Sequence, residues 1–411
     1  MRQCQRLISL LIPSTLSSFS TSPFSSSPPT HLCTSDINSY AGWAESKEEA
    51  EAEFYGAADW GNIMLYAQSV FSINHIGYLD ALRAGSSSLC TRTPKEKEGR
   101  SSSSVFCAPN LQACKASNIM LDFSGLESRV RKENLRYSTD IFRPGQLVVS
   151  GCDLDTSFLD HATASFPLQS WGPELRHLVE SEEGMQCDDT IDTPTLMVKL
   201  DATSNMYHHF CDFFNIFISL NLNGSIVPEA AGRQILILDN HPYHSSFRPA
   251  WKSVTDRHLW DLNSVAGKRI CFTDLLMPLL PRMVYGLYYG TPLIPGCHSS
   301  SMFSAFSTWF SSALGLPSPS TQLPLRLTLL SRATKYRQIL NEQEIVEALS
   351  AKGYQVTVAK FTLLVPLQEQ LETIRNTDIL VRISLLTLLK FTQINPLSSN
   401  AIHGLKCIVL W

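Results

Sequence analysis

The 411-residue sequence is low in charge and lacks the motifs that identify several common classes of protein. Charged residues make up 17% of it, below the roughly 25% of ordinary soluble domains, while a hydrophobic share of 44% excludes an intrinsically disordered chain. None of the 11 cysteines forms a CxxC pair, which excludes zinc ribbons and thioredoxin-type redox motifs. The sequence has neither a Walker lysine loop nor a GxGxxG motif, so neither a P-loop NTPase nor a dinucleotide enzyme is indicated.

Net charge and hydropathy narrow the range of partners. The formal net charge is −4, so no general basic field is available to bind nucleic acid or an anionic membrane surface. No apolar stretch of about 18 residues runs free of charges and prolines, so no membrane span is predicted. The dispersed cysteines fit either a few long-range disulfides in an oxidising compartment or buried free thiols.

Two segments near the amino terminus are not expected to belong to a packed core. Residues 1–30 are rich in serine and free of acid, with Arg2 and Arg6 before a short apolar run. This composition fits a signal or targeting segment and equally a mis-assigned first exon. Residues 91–104 are charged and then purely serine, which predicts an exposed loop between Cys90 and Cys107. In a secreted protein a disulfide could cross that loop, with its pairing left open.

The second half of the sequence predicts an α/β fold. Residues 196–200 and 234–238 are short apolar runs, typical of buried strands. Further on, strand and helix patterns alternate, which predicts a parallel, doubly wound sheet. The alternating segments are strands at 325–330, 354–358 and 378–381 and helices at 341–352 and 366–375.

These patterns predict a division of the chain into two lobes joined by a proline-rich linker. The predicted parts are a signal, targeting or mis-assigned segment (1–30), an irregular cysteine-bearing N-terminal region (31–190), a first Rossmann-like lobe (191–315), the linker (316–324), a partial second Rossmann-like lobe on the donor side (325–381) and a divergent tail (382–411). Open α/β folds bind ligands at the carboxyl ends of their strands, here predicted to be the cleft between the lobes.

The first candidate cluster is the segment NMYHHFCDFFN at residues 205–215, which follows a predicted strand. His208 and Asp212 are four residues apart, so on a helix they share one face, and the carboxylate could orient the imidazole. Asn205 could cap that helix. The alternative is a buried aromatic helix whose histidine and aspartate only satisfy each other.

The second candidate cluster is SRATKYR at residues 331–337, directly after a predicted strand. Arg332, Lys335 and Arg337 place three cations at the carboxyl end of that strand, where an anionic ligand such as a phosphate is expected. The alternative is a solvated basic turn.

Two further motifs are weaker indications of function. Asp239, His241 and His244 could bind a metal, although surface histidines are common and no metal site is predicted from them. Asn223 begins an Asn-Gly-Ser triplet, an N-glycosylation acceptor if the chain enters the secretory pathway.

Several segments together resemble glycosyltransferase family 61. The segments that carry this resemblance are MYHHFCDF (206–213), KRICF (268–272), LLPRMVYGLYYGTPLIPGC (279–297), LLSRATKYRQIL (329–340) and RNTDIL (375–380). The resemblance implies a GT-B-like fold of two Rossmann-like lobes, residence in the endoplasmic reticulum lumen and no cofactor besides a UDP-N-acetylglucosamine donor. It also implies that the acceptor is a serine or threonine hydroxyl on a folded EGF domain of a secreted or membrane protein.

The resemblance further implies inverting transfer. A general base removes the hydroxyl proton while the oxygen attacks the anomeric carbon, and cations with a helix N-terminus neutralise the leaving pyrophosphate without a bound metal. By position, we expect Arg332 and Arg337, with Lys335 beside them, to bind the diphosphate. We expect His208 and Asp212 to lie near the acceptor hydroxyl, with the choice of base between them open.

The sequence departs from the family pattern in two places. The family carries a DxD-type acidic triplet where this sequence has Asp256, Arg257 and His258, which puts any metal-linked role of that triplet in doubt. After residue 381 the glycine-rich, histidine-containing turn of the family is missing, and no KDEL-like signal ends the chain, so secretion stays open. Two alternatives therefore remain, namely a catalytically inactive truncated isoform of the same fold and a secreted α/β binding module.

Overall fold

A computed structural model gives the architecture of most of the chain. It describes residues 82–92, 102–126, 142–157, 168–222, 232–239, 243–282, 301–317, 324–332, 339–362, 364–382 and 408–409. All of these residues lie within one compact unit, Cys33–Trp411.

A mixed sheet of ten strands forms the larger layer of the described fold. Its strands are β1 (Ser87–Arg92), β2 (Ser104–Cys107), β3 (Cys114–Asp122), β4 (Leu147–Val149), β5 (Cys152–Leu154), β6 (Leu178–Glu180), β7 (Asp189–Ile191), β8 (Thr195–Val198), β9 (Gln234–Ile237) and β10 (Arg269–Met277). The main strand order is β5-β1-β2-β3-β10-β8-β9. β8 pairs in parallel with both β9 and β10, so the carboxyl ends of these three strands lie at the same edge of the sheet.

The N-terminal region is more regular than predicted. Strands β1 to β6 pair with one another or with β10, and the sheet continues across residue 190, where the sequence predicts a domain boundary. In the described part of residues 31–190, paired strands stand where the sequence predicts an irregular region. Several of these strands span only three or four residues, too few for the alternation of buried and exposed positions to stand out.

Three disulfides cross-link this sheet. Cys90 on β1 is bonded to Cys152 on β5, and Cys187 is bonded to Cys271 on β10. Cys107 and Cys114 are bonded between the facing ends of β2 and β3. Cysteines on either side of the predicted 91–104 loop are thus bridged, but to other strands, and β1 and β2 are joined by their antiparallel pairing.

The core beside this sheet is built on a long aromatic helix. The six helices with assigned ends are α1 (Gly172–Leu175), α2 (Met206–Leu222), α3 (Leu262–Val265), α4 (Ser301–Ala313), α5 (Glu342–Ser350) and α6 (Leu367–Arg375). α2 is apolar around most of its circumference, as a helix must be when it is buried on all sides. Phe210 and Phe213 on α2 pack against Phe310 on α4, with ring centroids 5.0 and 5.7 Å apart. The predicted aromatic helix at this position is confirmed.

A second, four-stranded parallel sheet follows, in the order β12-β11-β13-β14. Its strands are β11 (Arg326–Ser331), β12 (Gln355–Lys360), β13 (Ile379–Arg382) and β14 (Ile408–Val409). The alternating strands and helices predicted between 325 and 381 are confirmed, with α5 and α6 as the two helices. β14 comes from the predicted divergent tail and adds a fourth strand to a sheet that was expected to stop at three.

Helix α6 packs against the hydrophobic cores of both sheets. Leu367 and Leu371 on α6 belong to the core of the ten-stranded sheet, whereas Ile374 packs under the second sheet. Arg375 at its end donates to the carbonyl of Pro317 at 2.7 Å and to the hydroxyl of Ser311 at 2.8 Å. The described residues form a mixed α/β protein, which confirms the predicted fold class at that level. In the described part of the chain, no helix has the length and apolar character needed to cross a bilayer.

Candidate active site

Polar side chains gather where the three parallel strands of the larger sheet end. Lys199 and Asp201 follow β8, Tyr243 lies beyond the end of β9, and Arg282 lies five residues past β10. Helix α2 begins at the same edge, shortly after β8, and brings its first turn to these residues. The carboxyl edge of parallel strands is where open α/β folds bind ligands, so this edge is the candidate active site.

The exposed part of the site is a histidine held by a carboxylate. His208 Nδ1 lies 2.7 Å from Asp201 Oδ2, and Arg282 donates to Asp201 Oδ1 through Nε at 2.9 Å and Nη2 at 2.7 Å. The Asp201 side chain is 2% exposed, whereas that of His208 is 22% exposed. Because a carboxylate only accepts hydrogen bonds, Asp201 fixes the proton of a neutral His208 on Nδ1 and leaves Nε2 as the basic atom.

A second histidine, directly next in the sequence, is enclosed. His209 Nδ1 lies 3.0 Å from Asp212 Oδ2, and His209 Nε2 lies 2.6 Å from the Tyr243 hydroxyl. A neutral His209 protonated on Nδ1 satisfies both contacts, donating to the carboxylate and accepting from the phenol. Burial raises the pKa of Tyr243 to about 12, so its hydroxyl keeps its proton at neutral pH.

The structure gives His208 a different carboxylate from the one expected. The i,i+4 spacing predicts that Asp212 orients His208, but His208 bonds Asp201, and Asp212 bonds His209 at i,i+3. Both spacings place two side chains on one face of a helix. Asp212 bonds His209, three residues before it, because the His209 ring and the Asp212 carboxylate are both buried. Asp212 also accepts a hydrogen bond of 3.2 Å from the backbone N–H of Asp201, which links the two pairs.

The buried Asp212 predicts a measurable pH dependence. Burial raises the pKa of Asp212 from its ordinary value of 3.8 to about 6, although the hydrogen bond from His209 opposes the shift. At a pH between 3.8 and about 6, Asp212 therefore keeps its proton in the folded protein and loses it in the unfolded chain. The stability that this proton contributes below pH 4 is lost as the pH rises through 6. Asp212→Asn removes this effect. The free energy of unfolding of wild type relative to the variant should fall by about 2–3 kcal/mol from pH 4 to pH 7, as measured by chemical denaturation. A difference that is constant over this range would contradict the assignment.

A buried ion pair lies beside the site. Lys199 Nζ contacts both oxygens of Glu174, at 2.9 and 3.1 Å, and also donates to the carbonyl of Ser170 at 2.9 Å. The ammonium lies 4.3 Å from the centre of the Trp171 ring, a cation–π distance. Burial raises the pKa of Glu174 and lowers that of Lys199, and each charge opposes the shift of the other. This pair fixes α1 against the end of β8, two residues before Asp201.

The predicted cation cluster is described only in part. Arg332 follows β11 at the carboxyl edge of the second sheet, is half-buried and has no carboxylate partner among the described residues. Lys335 and Arg337 lie outside the described residues, so their role stays a prediction. The same holds for the acceptor triplet at Asn223 and for His241.

The degenerate acidic triplet lies at the other end of β9. Asp256 accepts from the backbone N–H of Gly232 at 3.3 Å, and the carbonyl of His258 accepts from Gln234, the first residue of β9, at 2.8 Å. Asp256, Arg257 and His258 are all exposed and flank the amino end of this strand, opposite the edge that carries His208. Within the described ranges, no group of three or more histidine, cysteine, aspartate or glutamate side chains is arranged to hold a metal ion.

Sequence reasoning missed several residues of the site. The missed residues are Glu174, Lys199, Asp201, Tyr243 and Arg282. Asp201 directly follows the strand predicted at 196–200, and Lys199 lies near the end of that run, so the rule that ligands meet strand ends was the signal that could have found them. Glu174 and Arg282 lie in segments without a clear periodic pattern, and nothing local in the sequence indicates their partners.

Comparison with known proteins extends over most of the chain. Residues 206–384 match the family described as Glycosyltransferase 61. The chain is 41% identical over 354 residues to the EGF domain-specific O-linked N-acetylglucosamine transferase of Drosophila melanogaster, covering 83% of this chain and 62% of the relative. Proteins of the same name from Xenopus laevis and Bos taurus are 36% and 34% identical, each over 83% of this chain and 61% of the relative.

The family match includes part of the site described above. His208, His209 and Asp212 lie in the family match, as do Tyr243, Arg282 and Arg332. The chain spans about three fifths of the length of these curated relatives. Residues 206–384 are therefore similar to glycosyltransferase family 61, and the resemblance predicted from the sequence is confirmed.

Proposed function

We propose that this protein is a glycosyltransferase that transfers N-acetylglucosamine from UDP-N-acetylglucosamine to a serine or threonine hydroxyl of a folded EGF domain, with inversion at the anomeric carbon. The names of the relatives support the sugar and the acceptor class, and the family 61 match supports the type of reaction. Because the chain spans only part of the relatives, the activity, its donor and its acceptor are proposals for this chain.

A GT-B-like arrangement is the fold that we propose for this reaction. Two sheets with parallel strands support it, and each carries polar side chains at its carboxyl edge. In such folds ligands bind outside the carboxyl ends of the strands. We assign the acceptor side to the edge with His208 and the donor side to the edge with Arg332.

The observation that carries the mechanism is the pair of Asp201 with the part-exposed His208. In the proposed reaction His208 Nε2 takes the proton of the acceptor hydroxyl as its oxygen forms the new bond to the anomeric carbon. The bond from that carbon to the UDP oxygen breaks on the opposite face. Asp201 accepts the hydrogen bond from His208 Nδ1 and stabilises the imidazolium that forms, while Arg282 donates to Asp201 and holds its carboxylate in place. Between the two bases considered from the sequence, burial favours His208, because Asp212 is enclosed and already bonded to His209.

On the donor side, a cation must balance the charge that develops on the leaving diphosphate. Arg332→Ala is expected to raise the KM for UDP-N-acetylglucosamine about tenfold or more, because a guanidinium fork suits phosphate oxygens. The comparison is made by initial-rate kinetics at varied donor concentration. Lys352→Ala is the matched control, since Lys352 is exposed and lies just before β12, at the amino edge of the same sheet. Equal KM values for Arg332→Ala and wild type would remove Arg332 from the donor site.

The proposed compartment is the endoplasmic reticulum lumen, with secretion as the open alternative from the sequence. The three disulfides of the ten-stranded sheet support a compartment of this kind, because such bonds persist where the environment is oxidising. We propose no metal or other cofactor for the transfer.

The test is incubation of the purified, oxidised chain with UDP-N-acetylglucosamine and a folded EGF domain, read by intact mass of the acceptor. Addition of one N-acetylhexosamine, lost when the acceptor hydroxyl is removed, is the expected result. Donor binding by calorimetry without transfer would indicate an inactive protein of the same fold. If the chain neither binds UDP nor transfers sugar, the proposed function is wrong.

A further inference from the structure

We propose that Tyr243, His209 and Asp212 form a buried positioning chain that holds Asp201 and, through it, sets the position of His208. The inference deepens the proposed function, since it assigns positioning residues to the same reaction. The chain is defined by its hydrogen bonds, from the Tyr243 hydroxyl through the His209 ring and the Asp212 carboxylate to the backbone N–H of Asp201.

The contacts run without a gap from one strand end to the next. Tyr243 lies beyond the end of β9 and contacts His209 at 2.6 Å. His209 contacts Asp212 at 3.0 Å, and Asp212 accepts from the Asp201 N–H at 3.2 Å. Asp201 follows β8, and its Oδ2 lies 2.7 Å from His208 Nδ1. The positioning chain therefore ties the loop after β9 to the residue that orients the proposed base.

The enclosure of His209 decides what kind of role it can have. Its ring is fully buried, with centroids 4.7 Å from that of Phe213, 6.4 Å from that of Phe247 and 6.1 Å from that of Trp251. Water and substrate are therefore kept from the ring, and it cannot exchange a proton with an acceptor hydroxyl directly. A polar side chain placed in such an enclosure must have its hydrogen bonds satisfied, and both of its ring nitrogens are.

Because these side chains are enclosed, the loss of one hydrogen bond at Tyr243 should affect the position of Asp201. A hydrogen-bond chain in a low-dielectric interior strengthens as a unit, and an unpaired member is costly. Loss of the Tyr243 hydroxyl leaves His209 Nε2 without its donor and allows His209 to rotate or change tautomer. Asp212 then loses its partner, and the backbone of Asp201 loses a fixed acceptor. Because Asp201 holds His208 Nδ1 at 2.7 Å, a displaced Asp201 should let the His208 ring sample more than one pose.

The experiment compares Tyr243→Phe, which removes one oxygen atom and keeps the ring, with the wild-type chain. Its matched control is Tyr354→Phe, the same change at a half-buried tyrosine packed against the core of the second sheet. Two readouts are taken from each protein. Long-range proton–nitrogen NMR of nitrogen-15-labelled histidine reports the tautomer of His208, and steady-state kinetics separate kcat from the donor KM.

For Tyr243→Phe we expect the His208 signals to move from a single Nδ1-protonated tautomer towards a mixture. We expect kcat to fall about tenfold with the donor KM unchanged within about twofold, because a positioning defect acts on the transition state and not on donor binding. Tyr354→Phe should leave both readouts as in wild type. Asp212→Asn, which keeps the size of the side chain, should move the same His208 signals if Tyr243→Phe fails to fold.

His208 signals identical to those of wild type in a folded variant would overturn the positioning role, whatever the rate of transfer. A similar change with Tyr354→Phe would also overturn it, because the effect would then be a general loss of rigidity. If the wild-type chain transfers no sugar, the proposed function fails, while the NMR comparison still decides whether the positioning chain acts on His208.

Discussion

Replacement of His208 by glutamine should lower the rate of sugar transfer by about 100- to 10,000-fold, the range that general base catalysis contributes. Glutamine keeps a polar side chain of similar reach but cannot take up a proton. The free energy of unfolding should change little, since His208 is part-exposed. Initial rates at saturating donor and acceptor measure the effect, and the donor KM should stay close to that of wild type.

His258→Gln is the control for this result. His258 is also exposed, but it lies at the amino end of β9 in the degenerate acidic triplet. We expect this variant to transfer sugar at the wild-type rate. A large loss of transfer rate with His258→Gln, or no loss with His208→Gln, would show that the general base does not lie at the edge that carries Asp201.

The second large effect concerns stability. Lys199→Met should lower the free energy of unfolding by about 3–5 kcal/mol at neutral pH, because it leaves the fully buried Glu174 without its counter-charge. The loss should shrink at acid pH, where protonation of Glu174, whose pKa burial already raises, removes the uncompensated charge. Chemical denaturation at two pH values measures both parts of the prediction.

The double variant Lys199→Met with Glu174→Leu provides the comparison. Replacement of both members by apolar side chains of similar volume should recover most of the lost stability, since a buried pair is worth little more than good apolar packing. Both variants lose the contact of the Lys199 ammonium with the Trp171 ring and its hydrogen bond to the Ser170 carbonyl, so the difference between them reports the uncompensated charge of Glu174. If the single and double variants are equally unstable, lost packing around Trp171 is responsible and the charge is not.

The second sheet was predictable because its signals are local. Residues 325–330 and 354–358 are short β-rich runs, and the helices between the strands of this sheet have clear amphipathic spacing. The structure places strands and helices there within a few residues. The fourth strand was missed because its two residues pair with β13 from a distant part of the chain, and no local pattern marks such a partner.

The site was predictable in location and only partly in its contacts. The sequence places His208 and Asp212 on one helix after a buried strand, and the structure has them there. Helical spacing cannot decide between the neighbouring histidines, because both i,i+3 and i,i+4 pairs face each other. The turn between β8 and α2 decides it, by bringing Asp201 to His208 and leaving Asp212 to His209.

Chemical rescue tests most directly the claim that His208 is the base held by Asp201. In His208→Gly the missing ring leaves space beside Asp201, and added imidazole can enter it and accept the proton of the acceptor hydroxyl. We predict that His208→Gly transfers sugar at well under one hundredth of the wild-type rate. Its rate should rise with the concentration of neutral imidazole. Transfer by His208→Gly at the wild-type rate without imidazole would contradict the account.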